Sequence, residues 1–404
     1  MPLPNLSDAD RTFITNHLNA DVQSLLLRPP AGISGIRLRE LAEQIQSRQK
    51  ARTKLPAWYA NPDLTFPPPL SVEQASSERT ATYKASLVSG HSLADLTGGM
   101  GVDTAAFARN MAQVVYVERT QSLAALTALN LSVLGLHTVS VQTGDGLDWL
   151  ASQPEPLDWL YLDPARRDTR AGRVGERVVG LTDCEPDVLT HLSLLLSKAQ
   201  NLLIKTSPLL DIEATLRQLP TTRAVHTVAV RGEVKEILFV LGQQHLPSAD
   251  VQMSAINLRE QAEPHLFTYR RGNEATAPVL LADPAAYLYE PNAALLKAGA
   301  FRLAGDRFGL SKLAPHSHLY TSDTLVADFP GRIFQVDAVC RADRRSVLNH
   351  VPDEQVNLTV RNFPQSVAVL RKQLGLREGG SVYVFATTLR NGEKRLIVTR
   401  KAVI

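Results

Sequence analysis

Apolar and polar residues alternate with more than one period along this chain, and the changes of period divide it. In residues 1–88 the spacing is helical. Leu38, Leu41 and Ile45 fall at i, i+3 and i+7 with Ala42 beside them, the stripe of an amphipathic helix. That helix runs into Arg48, Lys50, Arg52 and Lys54, cations suited to a helix C-terminus, and is expected to stop at Pro56. Pro62 to Pro69 reads as an extended connector. Ser71, Ser76 or Ser77 is the expected cap of a further helix through Tyr83-Lys84-Ala85.

From Ser92 to about Gly242 short apolar strands alternate with helical stretches. The strand candidates are 92–96, 114–117, 138–142, 159–162, 202–204, 224–230 and 236–241. Five βα units predict an α/β fold with a parallel, doubly wound sheet. The last two strands are joined only by Arg231 to Lys235, which permits an antiparallel hairpin but no parallel crossover. A small α+β piece follows from Ala255 to Asp323, with a helix opened by Pro291-Asn292 and closed by Gly299. From Phe329 the order reads strand, helix, strand, helix, hairpin. Phe334, Val336 and Ala338 alternate, Pro364 sits at the start of a helix that Gly375 ends, and Asn391-Gly392 is a hairpin turn. The expected domains are therefore 1–88 (helical), 89–245 (α/β), 255–328 (small α+β) and 329–404.

Composition narrows the class. With 44% apolar and 21% charged residues, a soluble globular protein is expected. No apolar run approaches the ~20 residues that span a bilayer, and Met1 to Asn5 lacks the features of a signal peptide. Two cysteines, Cys184 and Cys340, exclude a disulfide framework, a Cys-rich zinc site and an iron–sulfur cluster, so a reducing cytoplasm is the expected location. Net charge is +3 but uneven. Residues 331–404 hold 13 Lys/Arg against 6 Asp/Glu, which suggests a polyanionic partner such as nucleic acid. A solvated basic surface explains the same excess.

The most informative segment is Asp95-Leu96-Thr97-Gly98-Gly99-Met100-Gly101-Val102-Asp103, between a strand and a helix. Glycines at such a turn let backbone approach a ligand closely. Glu118 ends the next strand, 17 residues beyond Gly101, where a carboxylate can accept bonds from ribose hydroxyls. Two cofactors fit: a dinucleotide or S-adenosylmethionine. Gly99-Met100-Gly101 is followed by Thr104, so the third glycine of the dinucleotide fingerprint is absent. Asp95 would repel a pyrophosphate but not a sulfonium or ammonium group. Asp145, in Thr143-Gly144-Asp145-Gly146 after the third strand, can accept a bond from an adenine amino group.

In these residues the chain resembles the class I S-adenosylmethionine-dependent methyltransferases over roughly Ser92 to Gly242, a Rossmann-like sheet whose last pair is antiparallel. Asp95, Gly99 and Gly101 match that family's first motif, Thr97 stands where its first glycine often is, Glu118 matches the ribose-binding acid and Asp145 the adenine-side acid. The resemblance extends further. Gln49-Lys50-Ala51, Lys54-Leu55-Pro56, the segment from Glu73 to Ala85, Asp163-Pro164-Ala165-Arg166-Arg167-Asp168 and Val384-Phe385-Ala386-Thr387-Thr388 are similar to stretches of a bacterial methyltransferase family. That family carries a small ferredoxin-like piece and a C-terminal THUMP-like domain. The resemblance implies an RNA-modifying enzyme.

Ligands of open α/β sheets sit beyond the carboxyl ends of the strands. There the fourth strand ends in Asp163-Pro164-Ala165-Arg166, where amino-methylating nucleic-acid enzymes carry Asp/Asn-Pro-Pro-aromatic. The catalytic candidates are Asp163, Pro164 and Arg166. Asp163 would hold a target amine, and the Arg166 guanidinium can stack on a base or pair with phosphate. Arg166, Arg167, Arg170, Arg173 and Arg177 form a basic loop suited to RNA phosphates, or a solvated loop balanced by Asp168, Glu176 and Asp183. Lys205, after the fifth strand, either closes the pocket or is a surface lysine. Cys184 is expected away from both strand ends and Cys340 lies in the last domain, so thiolate-assisted C5 methylation of a pyrimidine has no agent. His316 and His318 have no third partner, and no metal is assigned. The leading reading is methylation of a base nitrogen in rRNA or tRNA. The alternatives are a protein or small-molecule methyltransferase, a non-catalytic RNA-binding protein with a retained cofactor pocket, and a nicotinamide oxidoreductase.

Overall fold

A computed structural model of the 404-residue chain describes residues 6–29, 33–166, 180–260, 262–351 and 353–403. The first of its two units comprises residues up to 222 with 238–245; the second comprises 223–237 with residues from 246 onward.

The first unit opens with helices α1 (Asp8–Asn16), α2 (Val22–Leu27), α3 (Gly35–Ala51), α4 (Pro56–Ala60), α5 (Pro69–Gln74) and α6 (Glu78–Ala85). The stripe of Leu38, Leu41, Ala42 and Ile45 is buried on α3, as its spacing requires. Two expectations need correction. Helix α3 ends at Ala51, and Pro56 instead opens α4, where a missing N–H costs nothing. Arg48 serves no exposed helix end. It is 4% exposed and donates to the carbonyls of Tyr59, Asn61, Pro62 and Leu64, pinning the connector beyond α4. Four carbonyls compensate a buried cation. Ser77 caps α6 by accepting from the Thr80 N–H.

The sheet strands of this unit are β1 (Ser92–Asp95), β2 (Gln113–Glu118), β3 (Val139–Thr143), β4 (Leu157–Leu162) and β7 (Ala199–Thr206), all paired in parallel in the order β3-β2-β1-β4-β7. Short strands β5 (Ala165–Arg166) and β6 (Cys184–Glu185) lie between β4 and β7 in the chain. Helices α7 (Val102–Phe107), α8 (Gln121–Val133), α9 (Gly146–Ser152), α10 (Leu192–Lys198) and α11 (Ile212–Gln218) alternate with the strands. This is the expected doubly wound α/β sheet. Trp58, Leu64, Phe66 and Val72 of the helical region share one core with Met100, Val102, Ala105 and Leu131. Each large apolar side chain in it contributes roughly 1.5–3 kcal/mol of burial. Asn130 exchanges two hydrogen bonds with Thr65, at 2.9 and 2.7 Å, across 65 residues of chain. The amino-terminal helices thus hold the loop after β1 in place.

Strands β8 (Thr222–Val230) and β9 (Glu233–Gly242) are neighbours joined by Arg231 and Gly232, both at positive φ (54° and 79°). That two-residue turn makes the expected antiparallel hairpin. In the second unit β10 (Gln252–Leu258) adds in parallel to β8, and β11 (His265–Arg270) adds antiparallel to β10. The sequence pattern reads the stretch from Ala255 only as part of a small α+β piece. The expected helix after Pro291-Asn292 is present between an Asn292 cap and Gly299. A seven-stranded sheet follows, built from β12 (Tyr287–Pro291), β13 (Ser311–Lys312), β14 (Tyr320–Ser322), β15 (Gly331–Arg341), β16 (Gln355–Arg361), β17 (Arg377–Thr388) and β18 (Lys394–Lys401). Its order is β13-β14-β12-β15-β18-β17-β16. The Asn391-Gly392 turn joins β17 to β18, and Gly375 closes the last helix at φ 60°.

Candidate active site

The loop after β1 is folded around its glycines. At Gly98 a Cβ would come 2.2 Å from the Tyr116 ring, so only glycine lets β2 and this loop approach so closely. Gly101 begins α7 with φ +80°, the left-handed region that a Cβ disfavours. The Tyr116 hydroxyl donates to the Gly99 carbonyl at 2.6 Å, while the Gly99 N–H donates to Glu118 Oε2 at 3.0 Å. The other Glu118 oxygen accepts from the Thr120 N–H at 2.8 Å. Asp145 caps α9, its Oδ1 accepting from the Leu147 and Asp148 N–H groups. Asp95 is 1% exposed and accepts from the Thr97 N–H at 3.0 Å and from the Thr104 hydroxyl at 2.6 Å. Burial raises the Asp95 carboxyl to about 7; the Thr104 and Thr97 bonds oppose the rise, and the charges of Asp103 and Asp163 add to it.

Asp95, Thr97, Gly99, Gly101, Glu118 and Asp145 all line one cleft of about 1200 Å³ at the carboxyl ends of β1 to β4. Asp163 lines the same cleft. Its N–H donates to the Thr97 hydroxyl at 2.7 Å, which ties the end of β4 to the loop after β1. Lys205 also lines the cleft and forms an ion pair with Asp163, so the pocket-closing reading of that lysine holds over the surface one. Pro164 follows Asp163 but is not among the lining residues. Ala165 lines the cleft, and the backbone of Arg166 pairs with Cys184 in the β5–β6 ladder. The remaining arginines of the expected basic loop, from Arg167 to Arg177, lie outside the described residues.

That ladder corrects the expectation for Cys184. The residue lies in the short strand β6 and not on a helix or loop: it pairs with Arg166, four residues beyond the end of β4. Its thiol is buried and lies 3.6 Å from the Gly180 carbonyl oxygen, and the cleft is lined instead by the next residues, Glu185 to Asp187. The buried thiol is not among the groups that line the cleft.

In the wall of the cleft lies a polar cluster that the sequence pattern does not single out as a site. Lys84, fully buried on α6, pairs with Asp103 at 3.0 Å. Asp103 also accepts from the Ser76 hydroxyl at 2.8 Å and the Tyr161 hydroxyl at 2.7 Å, and the Lys84 ammonium reaches the Ser76 oxygen at 2.7 Å. Burial pushes the Asp103 carboxyl up, but Lys84, Lys205, Tyr161 and Ser76 outweigh it and hold it below the ordinary carboxylate range. Ser71, Gln74 and Ser76 line the cleft as well, so the amino-terminal helices form part of its wall. One signal was available. Tyr161 interrupts an apolar strand, and a buried tyrosine hydroxyl requires a partner.

The group suggested by the motif can be tested against these residues. A cleft with acidic side chains at its base and rim suits a cationic nucleoside. Its volume exceeds the ~300–1,000 Å³ of ordinary ligand pockets, leaving space for an acceptor beside a cofactor. With that geometry in view, comparison with known proteins defines the class. The family description Protein-L-isoaspartate(D-aspartate) O-methyltransferase matches residues 70–168, a ferredoxin-like domain matches 287–330 and a THUMP domain-like description matches 331–401. A crystal structure of a candidate methyltransferase from Porphyromonas gingivalis W83 is 33% identical, with 98% of each chain covered and a TM-score of 0.86. A protein of Mycobacterium tuberculosis described as an uncharacterised S-adenosylmethionine-dependent methyltransferase is 24% identical over 324 residues, 80% of this chain and 84% of that one. The fold and the relatives define an S-adenosylmethionine-dependent methyltransferase. Within that class, the chain belongs to the family with a C-terminal THUMP-like domain.

Proposed function

We propose that the protein methylates a base nitrogen of RNA, rRNA or tRNA, in the cytoplasm. The observation that carries this reading is the placement of Asp163. It stands at the carboxyl end of β4, in the cleft that also holds Asp95, Glu118 and Asp145, and it is paired with Lys205. When bound, S-adenosylmethionine supplies a methyl group made electrophilic by its sulfonium. In this reading Glu118 accepts from the ribose hydroxyls, Asp145 from the adenine amine, and Asp95 answers the cationic end, with Thr97, Gly99 and Gly101 shaping the turn. Asp163 accepts an N–H of the target amine and leaves its lone pair free to attack. Lys205, paired with that carboxylate, orients it, so positioning supplies much of the rate. Pro164 stiffens the turn, and Arg166 with the following arginines contacts RNA. The excess positive charge of residues 331–404 supports a polyanionic substrate.

The test uses purified protein, isotopically methyl-labelled S-adenosylmethionine and bulk RNA from a strain lacking the gene. Label should enter RNA on nitrogen. Asp163→Ala should abolish transfer while cofactor affinity stays within a few-fold of wild type. Full activity in Asp163→Ala would refute the role given to that carboxylate.

A further inference from the structure

Nitrogen methylation leaves a proton to be removed. The N–CH3 bond forms as the S–CH3 bond breaks, the sulfur keeps the bonding pair, and the acceptor nitrogen, now cationic, must lose one hydrogen. Asp163 is a poor choice for that proton, because its carboxylate is already paired with Lys205. Other carboxylates on this wall are engaged too. Glu185 pairs with Arg119, and Asp187 accepts from the N–H and hydroxyl of Thr190 at 3.1 and 3.0 Å.

One imidazole among the described residues lines the same cleft and takes no part in the steps above. His191 directly precedes α10 and is half-buried. Its Nδ1 lies 2.9 Å from the backbone carbonyl oxygen of Asp187. A carbonyl only accepts, so in the neutral ring Nδ1 carries the hydrogen and Nε2 carries the lone pair. The backbone therefore fixes the tautomer that leaves Nε2 able to take a proton. We propose that His191 Nε2 is the proton acceptor of the reaction, receiving the hydrogen lost from the methylated nitrogen. This rests on the reading of an N–H acceptor at the Asp163 cleft.

The decisive variant is His191→Asn. Its amide nitrogen can replace Nδ1 as donor to Asp187 while offering no base. Labelled methyl transfer is measured on both the RNA and the protein fraction of a lysate from a strain lacking the gene. In whichever fraction wild type labels, His191→Asn should lower kcat by about 10²-fold or more. KM and cofactor affinity should remain within about twofold, and added imidazole should restore part of the rate to His191→Ala. A kcat within threefold of wild type in both His191→Asn and His191→Gln would overturn the proposal. So would a loss matched by weaker cofactor binding and not relieved by imidazole, which marks a structural role. Label in the protein fraction alone would refute the RNA reading while leaving the His191 comparison intact.

Discussion

A buried ion pair at the wall of the cleft sets the behaviour of the site at the residue scale. Lys84 and Asp103 form a buried pair, and removing one partner strands the other in a low-dielectric interior. Lys84→Met should therefore cost about 3–5 kcal/mol in chemical denaturation. The exposed pair Lys50–Glu73 lies on nearby helices, and Lys50→Ala should leave the denaturation midpoint almost unmoved. Asp95 titrates near neutrality for the opposite reason, burial without a cation of its own. The folded protein holds this proton more tightly than the unfolded chain does. Its contribution to stability is therefore present at low pH and is lost as pH rises from the ordinary 3.8 through about 7. A cationic ligand beside Asp95 favours the charged form. Cofactor affinity should accordingly increase between pH 6 and pH 8, with proton release on binding in calorimetry, and Asp95→Asn should bind more weakly with a flatter profile. An affinity independent of pH in the wild type would show that Asp95 does not meet the cofactor's positive end.

At the scale of elements, the glycine turn makes the sharpest contrast. Gly98→Ala drives a Cβ into the Tyr116 ring and should cost about 1–3 kcal/mol by overpacking, with cofactor binding lost as the turn opens. Gly135 does not line the cleft and has open space around it. Gly135→Ala should meet only the backbone penalty of φ +71°, about 1–2 kcal/mol, and leave cofactor affinity unchanged. Much of this architecture was legible beforehand. The alternation of apolar runs located β1 to β4 and β7 to β9, and the short link from Arg231 to Lys235 announced the hairpin, whose turn in the structure is only Arg231-Gly232. The motif residues from Asp95 to Asp145 were legible because strand-end carboxylates and turn glycines have few other reasons to recur in that order. What was not legible depended on long-range packing. Arg48 looked like a helix-end cation, and only the fold brings the four carbonyls of residues 59–64 to it. Cys184 looked remote because a local pattern cannot show that the chain returns to pair with Ala165-Arg166. His191 carries no sequence signal at all, since its significance lies in a carbonyl four residues earlier and in the wall it joins.

At the scale of the molecule, the ferredoxin-like and THUMP-like stretches share a sheet, because β12 pairs with β15. Cutting the chain before Phe329 removes the strand that pairs with β12 and uncovers Leu288 and Tyr289, so such a truncation should lower the melting temperature as well as RNA affinity. Charge reversal is the cleaner probe. Arg345, Lys372 and Lys394 are exposed. Changing all three to Glu should weaken RNA binding and flatten its salt dependence, by ~0.7 in the log–log slope for each single-strand phosphate that is no longer neutralised. The melting temperature and cofactor affinity should not move. Unaltered RNA binding at moderate salt would assign this basic surface another role. The central claim, that the Asp163 cleft transfers a methyl group to a nitrogen of an RNA base, is tested most directly by mass spectrometry of nucleosides from the RNA of a strain lacking the gene. One N-methylated base should be missing, restored by the wild-type gene and not by Asp163→Ala. A missing C5-methylated pyrimidine, or an RNA modification profile identical to that of the parent strain, would contradict the account.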